Sequence, residues 1–271
     1  MAASGDRDAV LINYVARTPD RPRYHANDHS RDTVVVEPRP MPVIDARALP
    51  LDLDREGVRL VRHASAVTDF SDPAGALVYA REIEALLRAE TGADVVIVTG
   101  HPILRFSERS GRAGSSDNSH PARFVHVDVS DATARAFSRQ RLPEGHADFA
   151  RAAHYNVWRV LAEPPQDVPL AICDARSVAG GALLAADAIF DSPAGDWSFE
   201  GYVVAHDPGH RWLWFPDMAR DEAILFKTHD SRDGVARCVP HVAFDDPDCP
   251  VDAQPRVSVE MRAIAYWLQS N

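Results

Sequence analysis

Lysine is all but absent from this 271-residue chain. Lys227 is the single example, and the other 28 of its 29 basic residues are arginines. With abundant Ala, Asp and Val, that bias points to GC-rich coding rather than to function. Bases are also outnumbered: 40 acids leave a net charge of −11. This excludes the basic face of a general nucleic-acid or anionic-membrane binder. Cysteine is scarce, with Cys173, Cys238 and Cys249 widely spaced, so no disulfide framework or Cys-rich zinc site is expected. No apolar run approaches the roughly 20 residues of a membrane span. Residues 1–8 lack the basic and apolar regions of a signal peptide. The expectation is a cytoplasmic chain with no nucleic-acid and no membrane partner. No repeat, low-complexity tract or boundary divides it. It reads as a single domain over residues 1–271, with residues 1–50 as an N-terminal arm packed on the rest.

What the chain does have is alternation. Residues 10–16, 33–37, 57–63 and 93–100 read as strands, the last of them buried. Prolines 38, 40 and 42 keep the chain extended after residues 33–37. Residues 74–91 form the clearest helix: Leu77, Ala80, Ile83, Leu86 and Leu87 recur at steps of three and four. Asp72 is placed as its N-cap and Gly92 just past its end. Residues 105–120 are polar and glycine-bearing and read as a mobile loop beside a site. Residues 131–161 read as helical, interrupted near Pro143-Glu144-Gly145. Short strands come next over residues 169–174, 186–190, 200–206, 211–215, 223–228, 236–244 and 256–267. One good helix followed by many short strands predicts a mainly β fold with α additions, built on an antiparallel barrel or jelly roll.

The most informative stretch is Phe124-Val125-His126-Val127-Asp128-Val129-Ser130. In an extended strand, residues two apart share a face. His126 and Asp128 then project together while Val125, Val127 and Val129 face the other way. Twelve His and 29 Asp in 271 residues give about one His-x-Asp by chance, and two occur. The second, His146-Ala147-Asp148, falls in the stretch read as helical, where a spacing of two diverges. A two-His, one-carboxylate metal site needs one more histidine. His146, His154, His206, His210, His229 and His241 are the candidates. His241 is distinguished by its strand-like surroundings, Pro240 to Phe244, and by the last strand downstream of it. There Arg256, Ser258, Glu260 and Arg262 share one face. Two arginine forks with a hydroxyl suit a carboxylate. Pairing of Arg262 with Glu260 on a solvated face is the plainer alternative.

His-x-Asp, a long insert, a lone His, then Arg-x-Ser on a terminal strand resembles the non-haem Fe(II)/2-oxoglutarate oxygenases. More narrowly, nearly the whole chain resembles the CmcJ/NvfI-like oxygenases. That group takes in the cephalosporin 7α-hydroxylating component, gibberellin desaturase-like proteins and fungal meroterpenoid oxygenases. Leu11-Ile12-Asn13-Tyr14, Val43-Ile44-Asp45-Ala46-Arg47, Asn156-Val157-Trp158-Arg159, Pro169 to Ser177, His210-Arg211-Trp212 and Pro240 to Pro247 carry the likeness in combination with the stretches above. The separation of Asp128 from His241, 113 residues, is longer than in plant-type members.

The resemblance implies a double-stranded β-helix (jelly roll, cupin-like) core and Fe(II) held by His126, Asp128 and His241. It implies 2-oxoglutarate held by Arg256 and Ser258, with Arg262 at the spacing some members use for a second arginine. Dioxygen is the other co-substrate. 2-Oxoglutarate would decarboxylate to succinate and CO2 as an unactivated C–H of a small secondary metabolite is hydroxylated or desaturated. No catalytic residue beyond the metal centre is expected. Substrate contacts are assigned to Asn13, Tyr14, Tyr24, His210 and Trp212 and to the loop 105–120. A homodimer or a biosynthetic partner enzyme is the protein partner to expect. The alternatives are a cupin-like metal hydrolase, which would need a general base and no Arg256, and a non-catalytic small-molecule-binding jelly roll.

Overall fold

A period of two runs through the C-terminal strands and sorts their side chains onto two faces. The computed structural model describes residues 5–191 and 195–269. In chain order its strands are β1 (Arg7–Val15), β2 (Arg23–His25), β3 (Val36–Asp45), β4 (Val58–Arg62), β5 (Val95–Val98), β6 (Ile103–Phe106), β7 (His126–Val127), β8 (Phe149–Val160), β9 (Leu170–Cys173), β10 (Leu183–Phe190), β11 (Trp197–Val204), β12 (Trp212–Trp214), β13 (Glu222–Asp230), β14 (His241–Ala243) and β15 (Val257–Leu268). The helices are α1 (Pro73–Thr91) and α2 (Asp131–Gln140). One sheet runs β4-β13-β8-β15-β5, with β6 also paired to β15. The other has nine strands in the order β1-β3-β12-β9-β14-β7-β11-β10-β2.

On β15, Val259, Met261, Ala263 and Ala265 join Val157 of β8 and Leu225 of β13 in a core completed by Tyr79, Ile83 and Leu87 of α1. Residues of opposite parity face the second sheet. Trp158, Ile224 and Phe226 pack with Ile172 of β9 and Leu213 of β12. Ser258 and Glu260 are buried on that inner side. The two sheets thus enclose a polar stripe from β15 inside an apolar shell, the mainly β jelly roll with helical additions that the strand pattern predicts. Helix α1 ends as expected. Asp72 accepts from the backbone N–H groups of Ala74 and Gly75, and Gly92 takes the left-handed turn at φ 68°.

Three readings of the sequence are corrected. Residues 149–160 are not helical: they form β8, flanked by β13 and β15 at the centre of the six-stranded sheet. Alanine gives Phe149 to Ala153 helical propensity, but long-range pairing on both edges outweighs that weak preference. The start of the loop 105–120 is structured too: Arg105 and Phe106 end β6, with Arg105 opposite Ser258, and Glu108–Ser110 make one 3-10 turn. The strand placed at residues 33–37 is displaced to β3, which runs through all three prolines and pairs with β1 and β12. Prolines at every second position put their missing donors on one side of the strand, leaving the other side able to pair.

Candidate metal centre

Strand pairing brings the first and last thirds of the site together. His241 opens β14, and its partner across the ladder is His126 of β7. The two imidazoles stand 4.3 Å apart between ring centroids. Asp128, two residues after His126, points to the same side. Its Oδ1 lies 3.5 Å from His126 Nε2 and 3.9 Å from His241 Nε2. One donor atom from each residue falls within 4.8 Å of the others, and all three residues are buried. Gly201 of β11 gives this corner its room: a Cβ there would sit 2.9 Å from the Asp128 carbonyl oxygen and 3.1 Å from the Tyr24 hydroxyl.

Each donor is oriented by its surroundings. His126 Nδ1 lies 3.0 Å from the Phe124 carbonyl and His241 Nδ1 3.3 Å from the Val239 carbonyl. Both ring hydrogens are thereby assigned to Nδ1, leaving Nε2 with its lone pair on the Asp128 side. Asp128 Oδ2 accepts from Asn156 Nδ2 at 2.7 Å and lies 3.4 Å from Arg262 Nε. Its Oδ1 is thus the oxygen left for a cation. Burial raises the Asp128 carboxyl, but Arg262 and then the two imidazoles outweigh it and hold the group well below the usual range. Burial, with His126 adding to it, pushes His241 down to about 4. Two imidazoles and one carboxylate on one side are a donor set for a divalent transition metal. The residues fit the iron expected from the sequence.

A cavity of about 20 Å³ lies against both imidazoles, and Arg105, Trp158, Arg256 and Glu260 share its wall. Arg256 is 1% exposed. Its guanidinium donates to Ser258 Oγ and lies 5.8 Å over the Trp158 ring. Its Nε and Nη2 are buried without a partner among the described residues. Burial, with Arg105 beside it, lowers its pKa to about 9. An unpaired buried guanidinium is costly, and an anion is what it lacks. Arg262 is different: its Nε donates to Glu260 Oε1 at 2.9 Å besides facing Asp128.

Two larger lobes open on the Asp128 side. One of about 250 Å³ is bordered by Tyr24, Arg105, Phe124, His126, Asp128 and Arg262. The other, of about 780 Å³, is walled by Phe137, Asn156, Phe190, Trp197, Phe199 and Arg262. Of the expected substrate contacts, Tyr24 and the loop residues Arg105, Glu108, Asp117, Asn118 and His120 border these lobes. Tyr14, His210 and Trp212 are corrected to core positions. The Tyr14 hydroxyl accepts from Trp212 Nε1 at 2.8 Å and lies 3.1 Å from His210 Nδ1. Tyr14 and Trp212 belong to the apolar cluster between the β1–β3 ribbon and β9, β12 and β14. Asn13 is likewise taken up elsewhere, donating to the Arg123 carbonyl at 2.7 Å. Sequence reasoning misses Asn156 because its stretch looks helical. Strand alternation would have put it inward with Trp158. Among the other histidines, His146 is exposed, His154 bonds Ser138 Oγ at 2.8 Å and His229 faces Asp131 at 3.3 Å.

A family model described as an oxidoreductase/YMDC permease-like domain matches residues 12–266. Hydroxylase/desaturase CTB9 of Cercospora beticola is 33% identical over 242 residues, 80% of this chain and 72% of the relative. Alpha-ketoglutarate-dependent dioxygenase phiK of a fungal species is 30% identical over 231 residues, 82% of each chain. The solved structure of the iron and alpha-ketoglutarate-dependent endoperoxidase NvfI superposes with a TM-score of 0.83 at 23% identity, covering 99% of this chain and 100% of that one. At that identity the superposition shows the fold.

Proposed function

The chain belongs to the oxidoreductase/YMDC permease-like family, and from that premise we propose that it is an Fe(II)/2-oxoglutarate-dependent dioxygenase. It hydroxylates or desaturates an unactivated C–H of a small secondary metabolite. The observation that carries this reading is the pairing of the two sites. A buried guanidinium with two unpartnered nitrogens shares a small cavity with the imidazoles of a His–Asp–His cluster. A metal alone leaves Arg256 unexplained. A metal with a dicarboxylate accounts for both.

Iron with 2-oxoglutarate and dioxygen supplies the oxidising power when bound, the keto acid leaving as succinate and CO2. The chain's own residues place the reactants. His126 and His241 offer Nε2, and Asp128 offers Oδ1 while Asn156 and Arg262 engage its other oxygen. Arg256 and Ser258 receive the distal carboxylate of 2-oxoglutarate. Arg262, which lies beside Asp128 and Glu260, positions the carboxylate ligand and is not the main co-substrate partner. The 250 and 780 Å³ lobes, which meet at Asp128 and Arg262, receive the substrate, and their aromatic wall keeps water from the reacting C–H. A hydrolase on the same cluster would need a free base. Glu260, the carboxylate that shares the small cavity, is engaged by Arg262.

No helix among the described residues is long and apolar enough to cross a membrane. The three cysteines are free, which suits a reducing cytoplasm, the compartment we assign to the enzyme, working as a homodimer or beside a biosynthetic partner enzyme. The test is succinate release from 2-oxoglutarate with Fe(II) and oxygen, without added substrate. The wild type should show slow uncoupled turnover, and His126→Ala and Arg256→Met should each remove it. Equal succinate release from all three proteins would refute the reading.

A further inference from the structure

The loop over residues 107–123 meets the cavity at Asn118. This residue borders both lobes and is held at φ 50°, a left-handed conformation that costs energy in a residue with a Cβ. Two side chains grip it. Arg105 Nη1 donates to the Asn118 carbonyl at 3.0 Å, to Asn118 Oδ1 at 3.1 Å and to the His120 carbonyl at 2.8 Å. From the other side, Asn27 Oδ1 accepts from the Asn118 N–H at 2.7 Å, and Asn27 Nδ2 donates to Asp117 Oδ1 at 2.7 Å.

Arg105 has a second address. It faces Ser258 across the β6–β15 ladder, and it borders both the 20 Å³ cavity beside Arg256 and the 250 Å³ lobe at Asp128. Among the described residues its side-chain hydrogen bonds come from Nη1. Its Nε stands 4.0 Å from Glu260, beyond hydrogen-bonding distance, and Glu260 is already held by Arg262. Nη1 of this buried guanidinium therefore grips the loop, its Nε faces Glu260 Oε2, and the residue lines the co-substrate cavity. Arg105 and Arg256 crowd that cavity with positive charge. Burial lowers the pKa of both, and Arg105 lowers that of Arg256 further. A bound dicarboxylate relieves this repulsion.

We propose that Arg105 is a positioning residue: it meets the dicarboxylate co-substrate beside Arg256 and, through its bonds to Asn118 and His120, orders the loop over the substrate lobes when the co-substrate is in place. The proposal rests on the 2-oxoglutarate reading of the same site. Filling the co-substrate site thereby shapes the substrate site before the substrate arrives.

Hydrogen exchange across residues 107–123 and calorimetric affinity for 2-oxoglutarate, both on the intact chain loaded with Mn(II), test it without turnover. In the wild type, 2-oxoglutarate should bind and slow exchange in the loop. Arg105→Gln should bind it roughly ten- to a hundredfold more weakly, from the loss of a charged hydrogen-bonding group, and should show no added protection. Arg105→Lys keeps a charge but not the three-way grip, so affinity should largely return while loop protection does not. Asn118→Gly, which leaves both arginines in place but removes the Oδ1 bond and loosens the backbone at that turn, should retain affinity and lose part of the protection, and it carries the test if the Arg105 variants fold poorly. Normal affinity in Arg105→Gln, or wild-type loop protection in all three variants, overturns the proposal alone. Absence of 2-oxoglutarate binding in the metal-loaded wild type overturns the co-substrate reading and the proposal with it.

Discussion

Replacing Arg256 with Met should move two measurements in different directions. Arg256 Nε and Nη2 are buried without partners, and a carboxylate filling that place would gain two charge-assisted hydrogen bonds. At about 1.5–3 kcal/mol for each, their loss should cost about 3–6 kcal/mol, or between about two and four powers of ten in the Kd for 2-oxoglutarate. The free protein should not suffer in step. There the guanidinium makes one side-chain bond among the described residues, to Ser258, worth about 1.5–3 kcal/mol, and relief from burying a charge with two unpartnered nitrogens offsets its loss. Urea unfolding of metal-free Arg256→Met should therefore give a stability within about 1 kcal/mol of the wild type or above it. Titration calorimetry of the metal-loaded variant should show the affinity loss. A variant several kcal/mol less stable that still bound 2-oxoglutarate normally would show that Arg256 braces the fold and does not hold the co-substrate.

Three further outcomes rest on the same structure. Asn156→Ala removes one of the two groups on Asp128 Oδ2 and should weaken metal binding about 10- to 100-fold, as loss of such supporting bonds commonly does; competition with a chelator reads it directly. Lys227, fully buried, donates to Asp54 and Asp230 at 2.5 Å each. Lys227→Met should cost about 3 kcal/mol by leaving the buried Asp230 carboxylate short of a partner, seen as a lower urea midpoint with metal affinity unchanged. Burial, with His229 adding to it, pushes His154 down to about 3. Because the unfolded chain takes up this proton near pH 6.5 and the folded chain only near 3, stability is lost as pH falls through that window. The slope should flatten in His154→Gln, measured by denaturant titration from pH 7 to pH 4.

The metal centre is legible in the sequence because its signals are local. His126 and Asp128 are two apart in a strand, and the alternation of β15 turns Ser258 and Glu260 inward with Arg256 just ahead of them. What joins them is not local. The His126–His241 pairing needs β7 and β14 to be neighbours across an insert of more than a hundred residues. The misreadings share that origin. β8 looks helical by composition and becomes a strand only through pairing on both edges. Tyr14 and Trp212 look like site residues until the fold closes their hydroxyl and indole on each other. Arg105 looks like one more loop residue because its importance comes from the strand opposite it, 153 positions along the chain at Ser258.

The central claim is that one buried corner holds Fe(II) and 2-oxoglutarate together. An anaerobic optical titration of the intact protein tests it most directly, because a 2-oxo acid chelating Fe(II) gives a weak visible metal-to-ligand charge-transfer band. The wild type should develop that band with both components and with neither alone, and His126→Ala should not develop it at all. A wild type that stays colourless with both components present, or a His126→Ala protein with an undiminished band, would contradict the claim.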